Sequence, residues 1–192
     1  MSQKVKWGIL GLGKIARKFA SDLRLSDGAV LQAVASRDLA KSEKFAKEFE
    51  AIDRYDSYEA MVQSPDIDVV YIATPHVFHF EQTMLCLENG KSVLCEKPLG
   101  MNQTEVQAVT AFAKEKNLFL MEGMWTRFIP ATIKLLELLK SDAIGEILFV
   151  RADFGFKGDG NRSSRIYDKK LGAGSLLDIG IYPAYLSLLL LG

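Results

Sequence analysis

The sequence predicts an α/β protein: a doubly wound parallel sheet, followed by the start of a second, differently built unit. Three observations predict it. Strand-sized apolar runs alternate with helical patterns from residue 5 to residue 121, which is how a chain lays down a parallel sheet with helices on both faces. A glycine-rich hexapeptide, Gly11-Leu12-Gly13-Lys14-Ile15-Ala16, stands between the first strand and the first helix. The alternation then breaks at residues 122–128, where Glu-Gly-Met-Trp-Thr-Arg-Phe reads as a crossing between units. The expected division is 1–122 and 123–192.

Composition narrows the function classes. The 24 basic and 24 acidic residues cancel, so no net charge favours nucleic acid or an acidic membrane surface. Hydrophobic residues make up 48% of the chain, enough for a proper core. No apolar run reaches the roughly eighteen residues of a membrane span, and the N-terminus has no signal-peptide core. Cys86 and Cys95 lack CxxC spacing and are expected as free thiols in a reducing cytoplasm. With two histidines as well scattered, no metal site is expected. The expectation is a cytoplasmic globular protein acting on a small molecule.

Taken in order, Val5–Leu10 is a buried-strand pattern, and a helix runs on through Phe19, Ala20 and Leu23. Between them, GxGxxA occupies the position a dinucleotide fingerprint demands. Gly11 permits the tight turn, Gly13 admits a pyrophosphate against the backbone, and Ala16 is small enough for close helix–strand packing. Lys14 and Ile15 open the helix, whose free N–H groups and dipole suit phosphates. The strand Ala29–Ala35 ends in Ser36-Arg37-Asp38. An NAD site places a carboxylate here for the ribose; an NADP site places a cation. Arg37 can grip a phosphate bidentately, Ser36 can donate a hydroxyl, and Lys41 lies one turn on, so NADP is expected over NAD. Asp38 dissents but suits the N-cap of the helix Leu39–Phe49. Arg37 has a plainer alternative, an ion pair with Asp38 or Glu43.

A short helix is expected over 56–62 and a strand over 68–73, closing in Thr74-Pro75 beside the first turn. His76 and His79 follow at a helix start. His79 is read as a pocket residue, although capping or core satisfaction is the commoner fate of such a histidine. The strand 91–94 leads into Cys95-Glu96-Lys97-Pro98, where Lys97 stands at a strand's carboxyl end, the place where open α/β sheets bind ligands. A helix over 104–116 and a strand over 118–121 complete the sheet. Beyond the crossing, a helix with Pro130 in its first turn is expected over 129–140, a strand of a second, antiparallel sheet over 147–154, and a long glycine-rich loop over 155–174. Asp178 and Tyr182, four apart, share a face if helical, and Pro183 kinks that helix or begins a new one. One strand cannot bury a face, so the chain reads as the leading part of a longer protein.

Four motifs in order, Gly11-x-Gly13-x-x-Ala16, Ala73-Thr74-Pro75-x-x-x-His79, Glu96-Lys97-Pro98 and Gly172-x-Gly174-x-Leu176-x-Asp178, resemble the glucose–fructose oxidoreductase (Gfo/Idh/MocA) family along the whole chain. Met124–Phe128 and 177–183 look most like its branch of dihydrodiol and NADP-dependent xylose dehydrogenases. The resemblance implies a Rossmann domain followed by a mostly antiparallel substrate domain that often carries the dimer contact. It implies hydride transfer between nicotinamide and a sugar or cyclic trans-dihydrodiol. Lys97 would hold the reacting oxygen; Tyr182, where many members have histidine, would be the general acid/base, its pKa lowered by Lys97. Asp178 would orient Lys97 or the substrate. Thr74, Pro75, His79, Glu96 and Lys97 itself would join the cofactor contacts, and His79, Trp125, Arg127 and Phe154 would line the substrate pocket. Lys97-Pro98 would be a turn lock with a cis bond. The competing class is a dinucleotide-binding sensor, which need not keep Lys97 and Tyr182.

Overall fold

The computed structural model describes residues 4–158, 160–161 and 166–192, in two compact units, Met1–Gly123 and Met124–Gly192. The first unit alternates β1 (Val5–Leu10), α1 (Lys14–Leu23), β2 (Ala29–Ala35), α2 (Leu39–Phe49), β3 (Asp53–Tyr55), α3 (Tyr58–Val62), β4 (Val69–Ile72), α4 (His79–Glu88), β5 (Ser92–Cys95), α5 (Gln103–Glu115) and β6 (Leu120–Glu122). A single 3₁₀ turn, His76–Phe78, leads into α4. The strands form one six-stranded sheet in the order β3-β2-β1-β4-β5-β6, and every pairing is parallel. This is the doubly wound arrangement, with strand order reversing between β1 and β4.

Period-two alternation sends neighbouring side chains to opposite faces. Leu10, Val70, Ile72 and Val93 face one core with Met61, Leu87 and Val109, from α3, α4 and α5. Ile9, Val34 and Tyr71 face another with Ala16, Ala20, Phe45 and Phe49, from α1 and α2. Phe45 is 2% exposed; burying such a ring stabilises by about 1.5–3 kcal/mol. Small residues at Ala16 and Ala20 let α1 lie close on β1, and Phe19 stacks on Tyr71 with ring centroids 3.9 Å apart.

The strand register positions the site. Leu10 pairs with Ala35 and with Ile72, Ile72 with Cys95, and Cys95 with Glu122. The carboxyl ends of five strands are therefore level, and the segments after them emerge along one edge. β3 was not anticipated: three residues, two of them charged, pair only on the outside of β2 and give no periodic signal.

In the second unit, a 3₁₀ turn (Trp125–Phe128) precedes α6 (Pro130–Lys140), with Pro130 at the first helical position as expected. A 3₁₀ turn (Lys169–Leu171), a π-helical turn (Leu176–Gly180) and α7 (Ile181–Leu191) follow. Residues 147–154 do not form the expected strand; they are irregular. A strand exists only by pairing, and among the described residues no segment of this unit pairs with 147–154. The expected loop 155–174 includes residues 159 and 162–165, which lie outside the described residues. The helical stretch Lys169–Leu191, mean hydropathy 1.5, is long and apolar enough to cross a membrane by length and composition alone. It is interrupted by Gly172 and Gly174, both at positive φ, and contains Asp178 and Pro183.

Candidate active site

The turn after β1 is built by its neighbours. Gly11 has φ +88°, and a side chain there would place Cβ 2.6 Å from Thr74 Cγ2 and 3.0 Å from the Ala73 and Thr74 backbone. Only glycine fits both the conformation and the space. The Gly11 amide donates to Ala35 O at 3.2 Å, tying the turn to β2. Gly13 differs. It is the N-cap of α1, and a Cβ built on it meets nothing within 4 Å. No side chain caps α1 and its first turn holds no acidic residue, so its leading N–H groups point outward with the positive end of the dipole. Lys14 and Ile15 are exposed there. This is a cradle for an anion, with the room at Gly13 that a dinucleotide pyrophosphate needs.

After β2, Ser36 and Arg37 come next along the edge. Asp38 is the N-cap of α2, accepting from the Lys41 amide, and Lys41 Nζ lies 3.7 Å from its carboxylate. The dissenting acid is thus employed in capping. Arg37 is exposed and its guanidinium sits 6.0 Å over the Phe78 ring. It also lies beside the Tyr58 hydroxyl: burial raises that tyrosine above its ordinary pKa while Arg37 pulls it the other way.

Thr74 and Pro75 follow β4, where expected. The Thr74 hydroxyl donates to Gln82 Oε1 at 2.5 Å. After β5 the Lys97-Pro98 bond is cis, as the family resemblance implied. The backbone here is closely held: Glu96 N donates to Ile72 O at 2.9 Å, Leu99 N to Glu122 Oε1 at 2.8 Å, and Met101 N to Glu105 Oε2 at 2.8 Å. The Glu96 carboxylate accepts a short hydrogen bond from the Tyr71 hydroxyl. Burial first, and the Glu96 charge second, push the Tyr71 pKa well above its ordinary value, so Tyr71 remains a donor. Tyr71, Gln82 and Glu122 were not anticipated. The one available signal was Tyr71 itself, a polar-tipped ring in the otherwise aliphatic strand Val-Val-Tyr-Ile.

His79 is placed differently from the expected pocket residue. Its side chain is 0% exposed, and its ring is taken up by backbone: Nδ1 lies 2.6 Å from Pro98 O and Nε2 2.8 Å from Thr74 O. His76, 5% exposed, meets it edge-on at 5.7 Å.

In the second unit, three predicted residues come together. Trp125 Nε1 donates to the Tyr182 hydroxyl at 3.3 Å. The Phe154 ring meets Tyr182 edge-on, centroids 5.0 Å apart, and Trp125 does so at 6.5 Å. Trp125 and Phe154 remain 60% and 53% exposed, so the cluster is an open aromatic wall around a phenol. Asp178 lies in the π-helical turn immediately before the helix that holds Tyr182. Arg127 is exposed on the turn Trp125–Phe128. Among the described residues no group of acidic, histidine or cysteine side chains could hold a metal ion.

Residues 5–124 match the oxidoreductase family with an NAD-binding Rossmann fold, and residues 132–192 match the C-terminal domain of the same family, taking in the apolar stretch before the chain's end. A trans-1,2-dihydrobenzene-1,2-diol dehydrogenase from Xenopus tropicalis is 44% identical over 180 residues, covering 92% of this chain and 54% of the relative. The enzyme of that name from Homo sapiens is 41% identical, with 93% and 53% covered. The chain thus spans about half the length of the curated relatives it matches. Among solved structures, a 3-ketoreductase from Actinomadura kijaniata in complex with NADP and TDP-benzene superposes with a TM-score of 0.87 at 30% identity, over 99% of this chain and 58% of that one. An NAD-binding oxidoreductase from Klebsiella pneumoniae does so with 0.87 at 28% identity, over 98% and 54%. On these matches, which run through both units, the chain belongs to the Gfo/Idh/MocA oxidoreductase family.

Proposed function

We propose that the protein is an NADP-dependent oxidoreductase that moves hydride between nicotinamide and a carbinol or carbonyl carbon of a cyclic trans-dihydrodiol or a sugar. The observation that carries this reading is the turn at Gly11–Lys14: an uncapped helix start with open room at Gly13, level with the Lys97 corner along one sheet edge. NADP, when bound, supplies the hydride acceptor. The backbone amides of Gly13, Lys14 and Ile15 hold its pyrophosphate, and Arg37, Ser36 and Lys41 hold the 2′-phosphate. Thr74, Pro75 and the Glu96 segment flank the nicotinamide end.

Lys97 holds the reacting oxygen and stabilises the negative charge on it, which develops as the hydroxyl proton is removed in oxidation and as hydride reaches the carbonyl carbon in reduction. Tyr182 takes the hydroxyl proton in oxidation and returns it in reduction. Asp178 orients its partners in this exchange. Trp125 and Phe154 provide faces against which a ring-shaped substrate packs, and Arg127 adds a polar contact. The relatives named as dihydrodiol dehydrogenases support the diol half of the substrate class.

The test is reduction of NADP and NAD by the protein with a panel of cyclic trans-diols, pentoses and hexoses. NADP turnover with a diol or sugar is expected. Lys97→Met should leave NADP affinity intact and lower kcat by a factor on the order of 10²–10³. Turnover unchanged by that substitution would contradict the assignment.

A further inference from the structure

His79 is the one predicted site residue whose ring is closed to ligands, and its two partners are what give it a role. Thr74 O, on Nε2, belongs to the segment whose backbone and methyl group fill the space a Gly11 side chain would need. Pro98 O, on Nδ1, belongs to the residue joined to Lys97 by the cis bond. The partners lie 5 and 19 residues away in sequence, on the turns that follow two neighbouring strands. A carbonyl oxygen only accepts, so either contact becomes a hydrogen bond through a ring N–H. With 0% exposure, no water replaces a bond that is lost.

We propose that His79 is a positioning residue: a buried strut that fixes the distance between the dinucleotide turn, through Thr74, and the catalytic lysine, through Pro98. This rests on the functional reading above for what the two turns hold, but not for the strut itself. The strut has two separable ends. In His79→Asn the amide nitrogen stands as many bonds from Cα as Nδ1 does, so the Pro98 end is kept and the Thr74 end is lost. In His79→Gln it stands where Nε2 does, so the Thr74 end is kept and the Pro98 end is lost.

The experiment is amide hydrogen exchange on the whole chain, followed by mass spectrometry, with NADP titration of the same variants. His79→Asn should lose protection at residues 73–75, keep it at 97–100, and bind NADP about fivefold more weakly, as expected for one lost hydrogen bond. His79→Gln should show the reverse protection and bind NADP within about twofold of the wild type. Loss in both segments alike, or in neither, would overturn the strut and leave His79 an ordinary core residue. Should a variant fail to fold, denaturant-dependent exchange of the wild type decides: the strut predicts that the two segments open together, and separate opening contradicts it. If the wild type binds no dinucleotide, the functional reading fails while the exchange pattern still judges the strut.

Discussion

Gly11 and Gly13 stand two residues apart in one turn and answer to different constraints. Gly11 is needed by the protein: positive φ and a wall of Thr74 leave no room for Cβ. Gly11→Ala should lower stability by about 1–3 kcal/mol, visible as a reduced melting temperature with or without ligand. Gly13 is needed only by what the turn binds, since its Cβ would enter open space. Gly13→Ala should cost at most about 1 kcal/mol of stability and yet weaken dinucleotide binding severely. Equal stability losses in the two variants would contradict this division. Both glycines were legible from spacing alone. For His79 the structure favours the core alternative over the pocket reading, a choice that residue type and helix position could not make because they do not reveal which carbonyls arrive from elsewhere in the chain. Trp125, Phe154 and Tyr182 lie together in the structure, and it was the family resemblance, not periodicity, that named them as a group.

At the scale of elements, capping residues made the helices readable. Asp38 caps α2, as the sequence suggested. Asn102 caps α5 reciprocally with Glu105: Asn102 Oδ1 accepts from the Glu105 amide at 3.0 Å, and Asn102 Nδ2 donates to Glu105 Oε1 at 2.8 Å. Glu105 also holds the Met101 amide, so this cap secures the descent from the Lys97 corner into the helix. Asn102→Ala should cost about 1 kcal/mol, read as a shift in urea midpoint at unchanged slope; no shift would show the cap to be idle. Strands were legible where buried and long. β3 escaped because Asp53-Arg54-Tyr55 is not an apolar run, whereas β6, an edge strand of the same length, is announced by the apolar run 118–121. Residues 147–154 misled for the opposite reason: Ile-Leu-Phe-Val has strand composition, but composition cannot supply a pairing partner.

For the whole molecule, burial also sets the response to alkali. Desolvation pushes the Cys86 thiol up to about 12 from 9.0, and raises the Cys95 thiol and the Tyr71 phenol well above 9.0 and 10.0. Each folded pKa lies above its unfolded value, so the unfolded chain loses these protons first. The stability they contribute is fully present below pH 9 and falls as pH rises through the folded values. The urea midpoint should therefore decline from about pH 9 upward, and Tyr71→Phe should flatten the part above pH 10. A midpoint independent of pH across that range would contradict the buried assignments. The native thiols should also resist modification by a disulfide reagent until the chain unfolds.

The parallel sheet and the edge that bears the candidate site were thus readable because apolar strand-sized runs alternate with helical patterns along the first unit, whereas the strand order, with β3 at one end, was not. The second unit was less readable, since its segments depend on partners that sequence pattern does not identify. The claim that organises the account is that the edge formed by Gly11–Lys14 and Ser36–Arg37 receives NADP. Equilibrium titration of the wild type and Arg37→Ala with NADP and with NAD tests it most directly. The wild type should prefer NADP, and Arg37→Ala should lose NADP affinity on the order of 10- to 100-fold, the worth of charge-assisted hydrogen bonds, while NAD affinity changes little. Equal losses for both cofactors, or no binding by the wild type, would contradict it.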